Sequence, residues 1–297
     1  MRESDLLHHI AARSQGLAAG AGWLVLSGPG DDCAVMQSQS GDVTLLTVDQ
    51  LVAGRHFKSE THLDLIARKA VARSVSDIAA MGGVPAWGLA TGLLPKDYPH
   101  ANALFDAMAK WAKHFGCPLV GGDVAMHASP DHPLTLSVTI GGSMAGETKP
   151  VLRSGAQAGD SVWITGPVGG SFSSGRHLTF EPRIEIGQRL AAAGAHAMID
   201  LSDGVGRDTD RIAKASGVTI EIDTARVTWH PGVENWQAGV SDGEDYELLV
   251  VGSAGLAEAV DGLLGPIGHV SNGDPGAWFI DGADTRHAAT DMGWDHR

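Results

Sequence analysis

The feature that most constrains this chain is a carboxylate placed repeatedly at the edge of an apolar segment. The run Val43-Thr44-Leu45-Leu46-Thr47-Val48 delivers Asp49. Asp77 closes Ser74-Val75-Ser76-Asp77, and Asp123 ends Leu119-Val120-Gly121-Gly122-Asp123. Asp200 and Asp203 stand in Ile199-Asp200-Leu201-Ser202-Asp203-Gly204. Ahead of them, Gly28-Pro29-Gly30 sets a bend that carries Asp31 and Asp32, and such a bend lets backbone approach a ligand closely. Adjacent acids repel each other unless a cation or a set of donors lies between them. A lone Asp-Asp pair reads as an exposed acidic turn; recurrence beside Gly and Ser favours a site. Hard cations such as Mg²⁺ take oxygen ligands of this kind and share them with phosphates.

Composition narrows what the site can serve. Of the 297 residues, 35 are Asp or Glu and 21 are Lys or Arg, a formal net charge of −14. That balance argues against nucleic acid or an anionic membrane as the main partner. An anionic substrate would need metal ions to be held here. The apolar fraction of 43% is that of a soluble globular protein, and the length admits two domains. Cys33 and Cys117 are the only cysteines and have no metal-binding spacing. Cys33 follows two acids that would raise its thiol pKa, so a small buried residue is expected. No apolar run approaches the ~18 residues of a membrane span. The start, Met1-Arg2-Glu3-Ser4-Asp5, lacks a signal-peptide pattern, and the expected compartment is the cytoplasm.

Along the chain, Ser4 can cap a short helix with Leu6, Leu7 and Ile10 on one face, ended by the Gly-Ala segment Gly16 to Gly22. Strands are expected at Trp23 to Leu26, Ala34 to Met36 and Val43 to Val48, then a polar turn from Val52 to Phe57. The spacing of Ile66, Ala67, Ala70, Val71, Val75, Ile78 and Ala79 predicts a helix over 63–81, stopped by Gly82-Gly83 and Pro85. A lone Asp in a helix is ordinarily a solvated charge, but Asp77 lies among small residues on a mostly apolar segment. A strand over 87–94 and a helix over 102–115 follow, the helix burying Leu104, Met108, Trp111 and Phe115. Leu119 to Asp123 reads as a buried strand emptying into a Gly-Gly-Asp turn, and 134–140 as another strand. A domain boundary is expected in the Gly-rich stretch 141–150, dividing the chain into 1–145 and 146–297. The second half alternates strands at 162–165, 197–200, 218–222 and 248–251 with helices at 183–193 and 207–216. The class is α/β or α+β.

The common nucleotide motifs are absent. The sequence holds no Gly-Lys dipeptide and hence no P-loop, and no Gly-x-Gly-x-x-Gly opens a helix. No His-Glu-x-x-His occurs. Any nucleotide would be handled by acids, metals and glycine turns outside those designs.

Seven segments, in order, carry a family resemblance. They are Gly30-Asp31-Asp32-Cys33-Ala34, the stretch Asp49 to Phe57, Ser76-Asp77-Ile78-Ala79-Ala80-Met81-Gly82, Gly121-Gly122-Asp123, Arg153-Ser154-Gly155, Ile199 to Gly204, and Gly243-Glu244-Asp245-Tyr246-Glu247-Leu248. From about Gly28 onward the chain resembles the thiamine-monophosphate kinases, within the superfamily of aminoimidazole ribonucleotide synthetase. The resemblance implies a two-domain fold of that type, with an N-terminal mixed sheet forming a barrel across a homodimer and a C-terminal α/β domain. It implies ATP-dependent phosphorylation of thiamine monophosphate to thiamine diphosphate, with several Mg²⁺ ions. Carried over by motif, Asp32, Asp49, Asp77, Asp123, Asp200 and Asp203 look like metal ligands, together with Thr47 and Val48. Of these, Asp49, Asp77, Asp123 and Asp203 look like the catalytic acids by the same carry-over. Gly122, Arg153 and Ser202 look like nucleotide contacts. His56, Glu244 and Trp294 look like acceptor contacts, although Trp294 could equally pack down the tail Gly293-Trp294-Asp295-His296 and Glu244 could be an exposed turn acid.

Some positions depart from the pattern. Val48 stands where the family usually has Thr, Val124-Ala125 follow Gly-Gly-Asp in place of two threonines, Ser74 replaces an Asn, and the segment after Gly175 is short. Two other readings are weighed: another ATP-using enzyme of the superfamily, and a nucleotide- or thiamine-phosphate-binding protein without turnover. Hydrogenase-maturation members of that superfamily end in a reactive cysteine whereas this chain ends in Asp295-His296-Arg297, and selenophosphate synthetases carry a Cys or Sec near the N-terminus whereas no cysteine precedes Cys33.

Overall fold

The computed structural model describes residues 3–14 and 19–294. The expected helix stop at 16–22 falls partly outside those residues, as do Asp295, His296 and Arg297. The N-terminal half runs α1 (Glu3–Ser14), β1 (Leu24–Ser27), β2 (Ala34–Gln37), β3 (Val43–Val52), α2 (Leu63–Ala80), β4 (Val84–Leu94), α3 (Ala101–His114), β5 (Leu119–Met126) and β6 (Thr135–Ser143). Its strands form one mixed sheet, ordered β1-β2-β3-β6-β4-β5, with β4 and β5 parallel and the other pairs antiparallel.

The C-terminal half runs β7 (Ser161–Ile164), α4 (Ser171–Ser174), α5 (Ile184–Ala192), β8 (Ala197–Asp200), α6 (Val205–Ser216), β9 (Thr219–Asp223), α7 (Trp236–Ser241), β10 (Leu248–Gly252), α8 (Leu256–Ala259), β11 (Leu264–Ser271), β12 (Gly276–Ile280) and β13 (Arg286–Ala288). These strands make a second mixed sheet, β13-β12-β9-β11-β7-β10-β8, in which β12 and β9 alone run parallel. The mixed α/β class read from the sequence is the one the chain forms. Among the described residues no helix is long and apolar enough to cross a membrane.

Helix α2 is the element both halves share. It packs on β3 and β6 of the first sheet, on α3, and on α5 and β8 of the second half. A helix covered on so many sides needs small side chains, and Ala67, Ala70, Ala72, Ser74, Ser76, Ala79 and Ala80 are all buried. Its C-terminal end shows how close the approach is. Gly82 adopts φ +72°, a left-handed conformation that suits a helix stop. A Cβ there would lie 2.4 Å from the Ala191 side chain, and one on Gly187 of α5 would lie 2.3 Å from the Ala79 carbonyl oxygen.

Alternation along β3 divides its side chains between two environments. Leu45, Thr47 and Leu51 are buried, whereas Val48 is 62% exposed. Two expectations need correction. The Gly-Gly-Asp segment is not a turn after a buried strand: β5 continues through it to Met126 as an exposed edge strand. Gly122 is required by that edge, because a Cβ would sit 1.9 Å from the Ala90 carbonyl oxygen of β4. In α3 the buried stripe is Leu104, Met108 and Ala112, with Phe115 buried just beyond it. Trp111 is only half-buried and lies under the Arg68 guanidinium, 5.3 Å away. On α1, Leu6 and Ile10 are exposed.

Enlarging Gly187 tests the α2–α5 approach. Gly187→Ala is expected to destabilise the protein by about 1–3 kcal/mol through overpacking, read as a lower urea midpoint. An unchanged midpoint would mean that the two helices can separate at no cost.

Candidate active site

Lys69, Arg73 and Asp77 occur every fourth residue of α2, so they form one stripe along the helix. That stripe borders a cavity of about 920 Å³, which Arg73 and Asp77 line together with Asp49, the loop 52–56, Ser202, Asp203, the loop 241–244, Tyr246, Phe172 and Trp294. Residues from both sheets therefore face one space.

At one pole are carboxylates. Asp32, Asp77 and Asp200 each bring an oxygen within 4.8 Å of the others. Thr47 Oγ1 donates to Asp77 Oδ2, and Ser76 Oγ donates to Asp200 Oδ2 at 2.7 Å. Burial, then the charge of Asp49 and of Asp200, pushes the Asp77 carboxyl well above the usual carboxylate range. Burial, then Asp32, does the same to Asp200. Asp32 Oδ2 is buried with no hydrogen-bond partner among the described residues. An orphaned oxygen beside two crowded carboxyls is a donor set that fits a hard divalent cation.

At the other pole are cations. Lys69 Nζ is fully buried, a rare setting for an ammonium group. It donates to the His56 carbonyl at 2.7 Å and to Glu244 Oε2, and lies 2.6 Å from His177 Nδ1. His177 Nδ1 is also 3.0 Å from Glu244. Burial pulls the Lys69 ammonium down to about 8, with Glu244 opposing the fall. For Glu244, burial alone would raise the pKa. The His177 hydrogen bond and the charges of Lys69 and Arg73 outweigh it and bring the value down to about 2. Glu244 is thus a partly buried ion-pair member, unlike the exposed acid its Asp-Gly-Glu-Asp setting would permit. Its backbone is left-handed at φ +65°, and that of Tyr246 at φ +54°. Non-glycine residues held this way cost roughly 1–3 kcal/mol each and cluster at functional sites. The loop is held by Ser202 and Leu201 carbonyls, which accept from Glu244 N at 2.7 Å and Tyr246 N at 2.9 Å.

The remaining sequence-derived residues fall in three places. Arg153 is clasped by the Gly-Pro-Gly-Asp-Asp turn: its Nη2 donates to Asp32 Oδ1 at 2.6 Å and its backbone N–H to Asp31 at 3.2 Å. Burial, reinforced by Asp32, lifts Asp31 to about 6. Asp203 lines the cavity and pairs with Arg211 at 2.5 Å, while its carbonyl accepts from Trp294 N at 2.9 Å. Trp294 is half-exposed in the cavity wall. Gly122 and Asp123 lie on β5, three strands from β3 in sheet order, and do not line the cavity. The Val48 side chain is exposed on β3. Cys33 is buried, and burial followed by Asp77 and Asp32 raises its thiol, as its two acidic neighbours imply.

Residues 30–144 match the family model for the N-terminal domain of AIR synthase related proteins. A thiamine-monophosphate kinase from Rhodopirellula baltica is 36% identical over 267 residues, covering 83% of this chain and 81% of that protein. The chain belongs to the thiamine-monophosphate kinase family. The Escherichia coli member is 33% identical over 269 residues, covering 81% of each chain. Among solved structures, AaThiL complexed with AMPPCP and TMP superposes with a TM-score of 0.83 at 25% identity, covering 100% of this chain and 97% of that one. The thiamine-monophosphate kinase from Stenotrophomonas maltophilia gives a TM-score of 0.70 at 29% identity, covering 96% and 98%.

Sequence reasoning missed Lys69, Arg73, His177, Phe172 and Arg211. For the first two a signal existed: two cations four and eight residues before Asp77, on a helix otherwise rich in small and apolar residues. His177 and Phe172 lie in the short segment after Gly169, whose fold is set by distant acids. Gly169 N and Gly170 N donate to Asp245 and Asp242, at 2.9 and 2.8 Å.

The crowded carboxyls give the pH dependence its sign. Where the folded pKa exceeds the unfolded one, as for Asp77 and Asp200, the unfolded state releases its proton first and stability falls as pH rises above the usual carboxylate range. Glu244 acts oppositely: its contribution is present above its ordinary 4.5 and lost as pH falls toward 2. In chelator at neutral pH, Asp77→Asn is expected to raise the melting temperature. Mg²⁺ is expected to raise the wild-type melting temperature, and Asp77→Asn to abolish that rise. A wild-type melting temperature indifferent to Mg²⁺ would contradict the metal-binding reading of the cluster.

Proposed function

We propose that this chain is a cytoplasmic, Mg²⁺-dependent enzyme that transfers the terminal phosphoryl group of ATP to thiamine monophosphate, giving thiamine diphosphate. The observation that carries the reading is one cavity lined by Asp77 and Asp200, whose carboxylates cluster with that of Asp32, and also by His56, Glu244 and Trp294. Family membership supports it, as does the likeness to a structure complexed with AMPPCP and TMP.

The acceptor in this reaction is already a phosphate, largely dianionic at neutral pH because its second pKa is ~6. It needs no base to become a nucleophile; the barrier is repulsion between two anionic groups. Bound at Asp32, Asp77 and Asp200, with Asp49 and Asp203 beside them, Mg²⁺ would supply charge neutralisation to donor and acceptor phosphates. Thr47 holds Asp77 in orientation through its hydroxyl. Thr47, Val48 and Asp123 belong to the proposed metal set on the resemblance. Gly122, Arg153 and Ser202 are proposed nucleotide contacts; the proposed ATP- and Mg²⁺-binding domain is 1–145, and Arg153 and Ser202 would reach the nucleotide from 146–297. On the acceptor side, Glu244 is ionised and can accept from the aminopyrimidine or offset the thiazolium charge. His56 can donate to the phosphate. The Trp294 face can stack on the cationic ring, worth ~0.5–2 kcal/mol depending on desolvation. Lys69 fixes this corner by tying the His56 carbonyl to Glu244.

Coupled ADP release should be slow with Mg²⁺-ATP alone and strongly stimulated by thiamine monophosphate. Release indifferent to it would reject the kinase reading. Trp294→Ala should raise the KM for thiamine monophosphate about 2–30-fold, the range of that stacking energy, with the KM for ATP and the melting temperature nearly unchanged. A large melting-temperature loss without a selective KM effect would make Trp294 a packing residue.

A homodimer through the N-terminal sheet is part of the proposal. Leu24, Val25 and Leu26 of β1, Val48 of β3, and Val120 and Val124 of β5 are all more than 40% exposed. So much apolar surface on one sheet marks an interaction site, and a second copy presenting the same strands is a self-complementary cover. Light scattering is expected to give twice the chain mass at micromolar concentration, with Val48→Glu shifting it to the monomer. A monomeric wild type would refute the dimer.

A further inference from the structure

Arg73 carries the inference furthest. It stands on the α2 stripe between Lys69 and Asp77, its side chain is 12% exposed, and it lines the cavity. A guanidinium has five N–H donors in a fixed plane. Here Nη1 donates to the Gln50 carbonyl at 2.5 Å, and Nη2 lies 3.6 Å from Asp49 Oδ1, an ion-pair separation beyond hydrogen-bond reach. Nε is buried and has no hydrogen-bond partner among the described residues. A buried donor left unmade costs free energy, so an arginine kept only to neutralise Asp49 should close on it and satisfy Nε as well.

Position says what is missing. The carboxylates whose charge acts most on Arg73 are Asp49 and Asp77, on the carboxylate side, and Glu244, on the acceptor side. Burial opposes its charge, and these neighbours together keep it protonated. An acceptor whose ring lies against Glu244 must extend its phosphate toward Asp77 to meet the donor, and Arg73 is the cation that the α2 stripe places next to Asp77. The planar fork matches a phosphate bidentately, which a point charge cannot do.

We propose that Arg73 is the phosphate clamp for the acceptor: its free donors bind the acceptor's phosphate dianion and hold it against the carboxylate pole. The inference rests on the kinase reading. The same fork could serve the nucleotide's terminal phosphate, so the test separates the two.

Calorimetric titration in Mg²⁺ compares wild type with Arg73→Gln, using thiamine monophosphate and thiamine, and AMPPCP and ADP. The clamp predicts at least a 10-fold loss of affinity for thiamine monophosphate in Arg73→Gln, with thiamine, AMPPCP and ADP within about twofold. Equal losses for thiamine monophosphate and thiamine, no loss, or a selective loss for AMPPCP over ADP would overturn it. Should Arg73→Gln fail to fold, Arg73→Lys decides, since it keeps the charge and loses the fork. A several-fold selective loss for thiamine monophosphate supports the clamp, and wild-type affinity overturns it. If the wild type neither binds thiamine monophosphate nor releases ADP with it, the functional reading fails, and inorganic phosphate then judges Arg73 alone. Stabilisation of the wild type by phosphate that is lost in Arg73→Gln upholds the clamp; equal stabilisation, or none, overturns it.

Discussion

Three charged side chains on one stripe of a helix packed between two sheets are the constraint on which the rest depends. Lys69, Arg73 and Asp77 of α2 are all removed from bulk water to some degree, and Lys69 completely. An isolated buried charge is too costly to keep, so each must meet opposite charge or hydrogen-bond partners supplied by other segments. Those partners come from far along the chain: His56 and Asp49 from the first sheet and its loop, Glu244 and His177 from the second half. Satisfying α2 therefore brings the two halves of the sequence around one cavity.

The cavity that results is electrostatically divided along the stripe. Toward Asp77, carboxylates crowd until their protons are hard to remove, and an oxygen of Asp32 is left without a partner. Toward Lys69, cations hold Glu244 ionised despite its burial. A protein of net charge −14 thus presents one end suited to metal-bridged phosphates and another suited to a ligand with both positive and hydrogen-bonding groups. The strained loop at Glu244 and Tyr246 joins the two ends, because its carbonyl anchors, Leu201 and Ser202, directly follow Asp200.

Much of this was legible in the sequence because the signals are local. Apolar runs ending in Asp marked β3, α2 and β8, and with them Asp49, Asp77 and Asp200. Small residues around Asp77 already implied a helix packed on more than one side. What was not legible depended on partners distant in sequence. Leu119 to Asp123 looks like a strand running into a turn because glycine pairs commonly end strands, yet Gly122 exists to let β5 pass the Ala90 carbonyl. The last three strands were missed because β11 begins Leu264-Gly265-Pro266, β12 is short, and β13 is polar Arg286-His287-Ala288. Lys69 and Arg73 carried no motif; their meaning comes from what faces them across the cleft.

The central claim is that acceptor and carboxylate pole meet across the α2 stripe. A crystal structure of the wild-type protein with thiamine monophosphate and Mg²⁺ tests it most directly. The expected complex has the ring between Glu244 and Trp294, with the phosphate beside Arg73 and directed at Asp32, Asp77 and Asp200. Thiamine monophosphate bound outside this cavity, or bound within it with its phosphate pointing away from those aspartates, would contradict it.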